Sequence, residues 1–583
     1  MLQTSTLPVT LMQKIFIYIL FFIVSTTVFA RRTTVSTATS IKNGSWTAGD
    51  TIVMQNGNWT NQAISLTANG NASNPIVLQA ETEGSVILNG TSRLSIGGSY
   101  IVVSGLYFLN GTLSTGNAVV EFRNGVNANN CTLKNTAIVN YNPADNTVDS
   151  KWVSLYGLNN TVDHCSFENK NNSGTLLVVW LQSGVTVNHV ISNNYFGYRN
   201  ANFDTNGNEL NGQEIIRIGD SSTSMTTANV TVSGNFFEKC NGEIEVISNK
   251  SCGNLYTNNL FLECKGMLTL RHGNGCTVDS NYFFGNGVSE SGGVRIIGEN
   301  HKVYNNYFEN LRGTNYRAVL CMVRGKENSA LSEYYQVKNA LVAFNTMVNC
   351  SQSFCINYNS SSSLTLPPIN SVIAHNHVYN SSTSNYNVII DQNYVSAMSV
   401  TWKNNLMNQG KYSNFAYTST QVITGKDAKM TLAGTPINMY EPGTASALLN
   451  YTTDEYPEVT SDIRGRERPT TAKVPGASQI SGTISEIMPA KTTVGAGFFN
   501  NPTAEFEAVN ELKLMNYKLI NRELIIETSR PGNIHLYDLS GIIISESKIT
   551  VGNTYTKQLQ KGIYVLRFMA DEGSWFSHKL IVL

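Results

Sequence analysis

Charge is what this 583-residue sequence has least of. Asp, Glu, Lys and Arg make up 14%, against roughly a quarter in an average soluble protein. Their signs balance at 40 each, so no global field draws a polyanion, and this argues against a general nucleic-acid binder. An anionic partner must meet a local positive site. The nine cysteines lack the paired C-x-x-C or His spacing that zinc requires. After the N-terminal segment no apolar run reaches the ~20 residues of a membrane span. In place of charge stand Asn, Ser, Thr and Gly, which suit an uncharged, turn-rich β surface.

The N-terminus reads as an export signal over residues 1–30. Lys14 precedes the apolar run Ile15 to Val24, and Val28-Phe29-Ala30 offers a small-residue cleavage site. A membrane helix is the alternative, but the run is short for one. Cysteines in an exported chain raise the question of disulfides. Cys240, Cys252, Cys264 and Cys276 follow one another at twelve-residue steps. Stacking as small buried apolar residues in successive coils explains them, and disulfides between neighbouring coils are the alternative.

An internal repeat sets the fold. Val230-Thr-Val-Ser-Gly-Asn235-Phe-Phe, Leu255-Tyr-Thr-Asn-Asn259-Leu-Phe, Val278-Asp-Ser-Asn281-Tyr-Phe and Val303-Tyr-Asn-Asn306-Tyr-Phe share one pattern. The Asn residues are 24, 22 and 25 positions apart, and weaker copies follow at Asn345 and Asn376. Short β runs between turns at this period predict a parallel β-helix, with an internal amide ladder at a turn. The repeat fades after about Asn405. The expected organisation is an all-β solenoid over 31–450, the end of the solenoid and a linker over 451–509, and a small β-sandwich over 510–583. The last rests on alternating runs such as Leu524-Ile-Ile, Gly562-Ile-Tyr-Val-Leu-Arg-Phe568 and Lys579-Leu-Ile-Val-Leu583.

Chemistry concentrates between Asn211 and Arg295. In Ile216-Arg217-Ile218, Glu243-Ile244-Glu245-Val246, Leu268-Thr269-Leu270-Arg271 and Val294-Arg295-Ile296 the apolar residues take the inner phase. Strand alternation then projects Arg217, Glu243, Glu245, Arg271 and Arg295 outward on one face. Lys250 follows one turn after the Glu strand. A surface ladder of ion pairs is the bland alternative. Two carboxylates at i and i+2, with an amide oxygen from the adjacent coil, form a hard oxygen site best suited to calcium. They point the same way, which disfavours the flanking acid and base of a glycosidase.

What remains is β-elimination on a uronic acid polymer. A bound cation neutralises the carboxylate beside the C5 proton. Lys250 is then a candidate base, provided nearby positive charge leaves it neutral. Guanidinium hardly deprotonates, so Arg271 is expected to stabilise developing charge, with His272 or water supplying a proton. His272, Arg217 and Arg295 are expected to bind the substrate. A non-catalytic β-helix adhesin is the reading from another class, but it has no use for Lys and Arg beside a cation site.

Asn211-Gly-Gln-Glu-Ile-Ile-Arg-Ile-Gly, Glu243-Ile-Glu-Val-Ile-Ser-Asn-Lys-Ser, Leu268-Thr-Leu-Arg-His-Gly and Gly292-Gly-Val-Arg-Ile-Ile-Gly resemble polysaccharide lyase family 6, which holds alginate lyases and chondroitinase B. The resemblance implies a right-handed parallel β-helix, Lys250 as Brønsted base and Arg271 as Brønsted acid. It implies Asn211, Glu243 and Glu245 as ligands of Ca2+. It points to a calcium-dependent alginate lyase, poly(mannuronate) lyase in type, that leaves 4,5-unsaturated products. A chondroitin or dermatan sulfate lyase is the alternative. With no room for a second large β-helix, an endo-acting monomer on mannuronate-containing blocks is expected. Near the C-terminus, His535-Leu-Tyr-Asp-Leu-Ser-Gly541, Gly562-Ile-Tyr and Lys579-Leu-Ile-Val-Leu resemble the C-terminal sorting domain of type IX secretion. That implies the type IX machinery as a partner and a secreted or cell-surface location. A carbohydrate-binding sandwich is the other reading of this end.

Overall fold

From Asn194 to Asn405, successive coils close on the Asn that the repeat supplies. Asn194, Asn235, Asn259, Asn281, Asn306, Asn345, Asn376 and Asn405 are fully buried. Each of the first seven donates its side-chain amide to the next carboxamide oxygen at 2.9–3.0 Å. The residue before the Asn adopts positive φ at Asn193, Gly234, Asn258, Ser280 and Asn305. The turn therefore needs a left-handed residue, which Asn and Gly provide at low cost. Two residues further on, Phe196, Phe237, Phe261, Phe283 and Phe308 stack in line with Phe167 of the preceding coil, at centroid spacings of 4.5–5.1 Å. That is the spacing of neighbouring strands.

The computed structural model describes residues 30–500 and 515–582, apart from 205, 382–386, 434–437, 486, 521, 529, 539–541 and 572–574. Its strands form three long sheets of fourteen, fifteen and fourteen members, paired almost throughout in parallel. This is a parallel β-helix. Inward columns of the first sheet, such as Val232, Tyr256, Val278 and Val303, stay in register from coil to coil and build one continuous core. The helix Ala38–Asn43, capped by Thr37, buries Ile41 in that core. The nine cysteines are free, and all but Cys252 are buried. Among the described residues no helix is long and apolar enough to cross a membrane. The expected signal lies outside the described residues except for Ala30.

The segment expected to end the solenoid and lead to a linker packs along the third sheet. Arg468 donates to Asn305. From Gly476 onward, over its described residues, the segment retraces the coils in reverse order: Gly476 donates to the His375 carbonyl and Lys491 to the Tyr195 hydroxyl. Ala496 then reaches Ser166, and Gly497 reaches Asn135. This strap buries the outward aromatic row Tyr195, Phe236, Tyr282 and Tyr307 against Met439, Ile463 and Val494. Arg464 and Arg466 are nearly buried and pair with Glu441. Residues 501–509 lie outside the described residues.

A second unit spans Pro502–Leu583. Its strands form antiparallel sheets of three and four members. Leu524, Ile526, Ile534, Leu536, Leu566 and Phe568 make its core.

Candidate active site

The strands Ile216–Ile218, Glu245–Lys250, Met267–His272 and Val294–Ile296 lie on four successive coils of the second sheet. Ile216, Ile247, Leu268 and Val294 form the inward column. Their neighbours Arg217, Ser248, Thr269 and Arg295 form the outward one. Lys250 and Arg271 project from the same face two residues on. Lys250 is the last residue of the carboxylate strand itself, not of a following turn. There a register shift after Asn249 sets it opposite His272.

A cleft of about 490 Å³ opens on this face. Asn211, Glu243, Glu245, Lys250, Arg271 and His272 line it, as do Arg217 and Arg295. All eight residues singled out in the sequence thus meet in one place. Ile244 does not follow the expected phase. It is half-buried and lines the cleft, while Val246 and Ile247 both enter the core. The cause is a bulge between Glu245 and Ile247, which breaks alternation where the carboxylates gather.

Glu214 completes that gathering. One oxygen each from Glu214, Glu243 and Glu245 lies within 4.8 Å of the others, and all three residues are buried. Sequence reasoning missed Glu214, although it stands three residues after Asn211. No strand pattern shows that its coil brings it beside the Glu pair. Glu243 accepts from the backbone of Gly212 and Gln213 at 2.8 and 3.1 Å, and Glu214 accepts from Thr175 at 2.7 Å. Glu245 accepts from Ser248 and from Arg295. Burial, then Glu214 and Glu245, push the Glu243 carboxyl up to about 8. Three buried carboxylates this close hold a cation or retain protons. The donor set is all oxygen, which fits a hard divalent cation. Behind it, fully buried Arg199 donates to the Glu214 carbonyl at 3.0 Å.

The positive groups do not form an ion-pair ladder. Among the described residues, Arg295 is the one of them that meets a carboxylate. Arg217 sits 5.3 Å over the Trp180 ring, with its Nε buried and unpartnered. Arg271 lies 4.2 Å over Tyr334 and donates to the Glu333 carbonyl at 3.2 Å. Burial lowers its pKa. His272 is 2% exposed, and burial followed by Arg271 and Lys250 lowers it to about 3. It is therefore neutral at ordinary pH and has no imidazolium proton to give. The cleft is also lined by Tyr316 of the 3-10 turn Asn315–Arg317, by Ser332, Tyr334 and Ser360 from loops, and by Tyr358 at the end of the strand Gln352–Tyr358.

A family model described as chondroitinase B matches residues 35–446. The structure of the PL6 family alginate lyase AlyGC is 31% identical, with a TM-score of 0.67 over 81% of this chain and 59% of that one. This chain thus spans under two thirds of that relative. A mannuronic acid specific family 6 lyase from human gut microbiota is 30% identical, with a TM-score of 0.58 over 66% of this chain and 89% of that one. A PL6 polysaccharide lyase from Pseudopedobacter saltans is 29% identical, with a TM-score of 0.55 over 66% and 94%. Comparison with curated proteins finds no match. Over residues 35–446 the chain belongs to the chondroitinase B family, polysaccharide lyase family 6.

Proposed function

We propose that this chain is a calcium-dependent alginate lyase that cleaves 1,4-linkages by β-elimination and leaves 4,5-unsaturated ends. The observation that carries this reading is Lys250 and Arg271 on one sheet face, beside the carboxylates of Glu214, Glu243 and Glu245. The relatives at 31% and 30% identity, by name an alginate lyase and a mannuronic acid specific lyase, support the substrate class. Glu214, Glu243, Glu245 and Asn211 are the residues that would hold the cation. A divalent ion held there would neutralise a uronate carboxylate and make the neighbouring C5 proton more acidic.

Lys250, on the same face, takes that proton. Arg271 faces the departing C4 oxygen and stabilises its charge, and Tyr334 beneath it offers a hydroxyl. Neutral His272 holds substrate by hydrogen bonding, with Arg217 and Arg295 near its carboxylates. Export through the N-terminal segment, with the C-terminal unit as a type IX sorting domain, would place the enzyme where such polymers occur.

The test is incubation of the purified protein with polymannuronate, polyguluronate and dermatan sulfate, with Ca2+ or chelator. Unsaturated uronate absorbance on the alginate polymers alone is expected, lost with chelator. Activity on dermatan sulfate instead would move the substrate to the other branch of the family. Reducing ends without that absorbance would mean hydrolysis and overturn the mechanism.

A further inference from the structure

North of the cleft, toward the chain's N-terminus, the outward column of the second sheet continues through Val178 and Ser154 to Glu121, registered partners of Arg217. Two residues on, Trp180, Tyr156 and Arg123 form a parallel row. Trp180 and Tyr156 stack at 6.0 Å with 14° between their planes. The Arg123 guanidinium lies 3.9 Å over Tyr156, and Arg217 closes the other end over Trp180. The row is thus continuous with the lining of the cleft.

Arg123 is placed there by a local exception to the fold. Arg123–Asn124 turns back antiparallel on Val126–Asn129, with Gly125 at φ 73° in the turn. Thr67 pins this hairpin through the Asn124 carbonyl at 3.1 Å. Glu121 accepts from Nε and Nη2 of Arg123 at 3.1 and 2.8 Å. One edge of the fork is thereby fixed, and Nη1 remains to donate. Beside the row lies a second cleft of about 480 Å³, which Asn127 and Gln182 also line. Aromatic surface with a few amides and one oriented guanidinium suits a ring that is apolar on its faces and polar at its rim.

We propose that Arg123, Tyr156 and Trp180 form a distal saccharide subsite for further uronate residues of the same polymer. The rings and amides take the sugar, and Arg123 takes its carboxylate. The inference rests on the lyase reading for its ligand. The Arg123 coil is four strand steps from that of Lys250, roughly 19 Å at about 4.8 Å each. Only a chain several sugars long reaches both, so the subsite favours long substrates.

The experiment measures kcat/KM for wild type, Arg123→Ala and Tyr156→Ala on alginate oligosaccharides from trimer to octamer. Melting temperatures confirm that the variants are folded. The loss is expected to grow with length, from at most about twofold on the trimer to about five- to tenfold on the hexamer and beyond. Tryptophan emission titrated with hexamer should show affinity weakened by a similar factor. Equal losses at every length, or none, would overturn the proposal. Wild type without unsaturated product would defeat the lyase reading instead. The hexamer titration would then decide the subsite alone, with unchanged affinity in both variants counting against it.

Discussion

Arg295 donates from Nη2 to Oε1 of Glu245, and both side chains are under 10% exposed. The pair joins two elements of the site, because Glu245 belongs to the carboxylate cluster and Arg295 lies two coils further along the same face. One of the three crowded carboxyl groups is therefore held by a positively charged partner. Arg295→Met leaves Glu245 buried and unpaired, a change that costs about 3–5 kcal/mol in comparable sites. The expected result is a lower melting temperature in chelator, with part of the loss recovered in excess Ca2+. An equal melting temperature for the two proteins in chelator would show that the pair contributes nothing.

The Glu243 carboxyl gives a pH signature. Without metal its folded value rises from the ordinary 4.5 to about 8. Folding thus takes up a proton, and this contribution to stability is complete below about pH 4.5 and lost as pH rises through about 8. In chelator the melting temperature should fall across that window. Saturating Ca2+ should flatten the fall, since a cation stabilises the ionised cluster. Glu243→Gln should flatten it without metal. A chelated wild type with constant stability from pH 5 to 8 would contradict the assignment.

Lys250→Ala tests the base. Losing a positioned proton acceptor lowers kcat by about 10²–10⁴-fold. Lys250 is half-exposed at the end of its strand, so the melting temperature should stay within a few degrees of wild type. Lys250→Arg should not rescue turnover, because guanidinium does not act as a base at neutral pH. Retained turnover in either variant would remove Lys250 from the role.

How much of this was legible in the sequence depends on the range of the signal. The Asn ladder from Asn194 to Asn405 and the common face of Arg217, Lys250, Arg271 and Arg295 follow from periodicity, since each coil repeats its neighbour's geometry. Glu214 and Ile244 were not readable in the same way. Glu214 belongs to an irregular stretch before its strand, and the bulge at Glu245 reverses the phase that alternation assigns to Ile244. Tyr316, Tyr334 and Tyr358 gather from a 3-10 turn, a loop and a strand end, and their meeting depends on packing with Val323 and Leu364. The strap over residues 440–500 was least legible. Its contacts, such as Lys491 with Tyr195, span hundreds of residues, and nothing local marks them.

Tyr334 separates two accounts of Arg271. The guanidinium lies 4.2 Å over its ring, an attraction worth roughly 0.5–2 kcal/mol that also fixes its direction. If the ring only holds Arg271 in place, Tyr334→Phe keeps the platform and should retain kcat within about threefold. Tyr334→Ala frees the guanidinium and should lower kcat by about tenfold or more, because misplaced catalytic groups are costly. If the hydroxyl instead delivers the proton to the leaving oxygen, Tyr334→Phe alone should lose about 10²-fold or more. The kcat ratio of the two variants therefore assigns the proton donor. Near-equal, severe losses place it on Tyr334, and a mild Phe variant beside a crippled Ala variant leaves it with Arg271 or water.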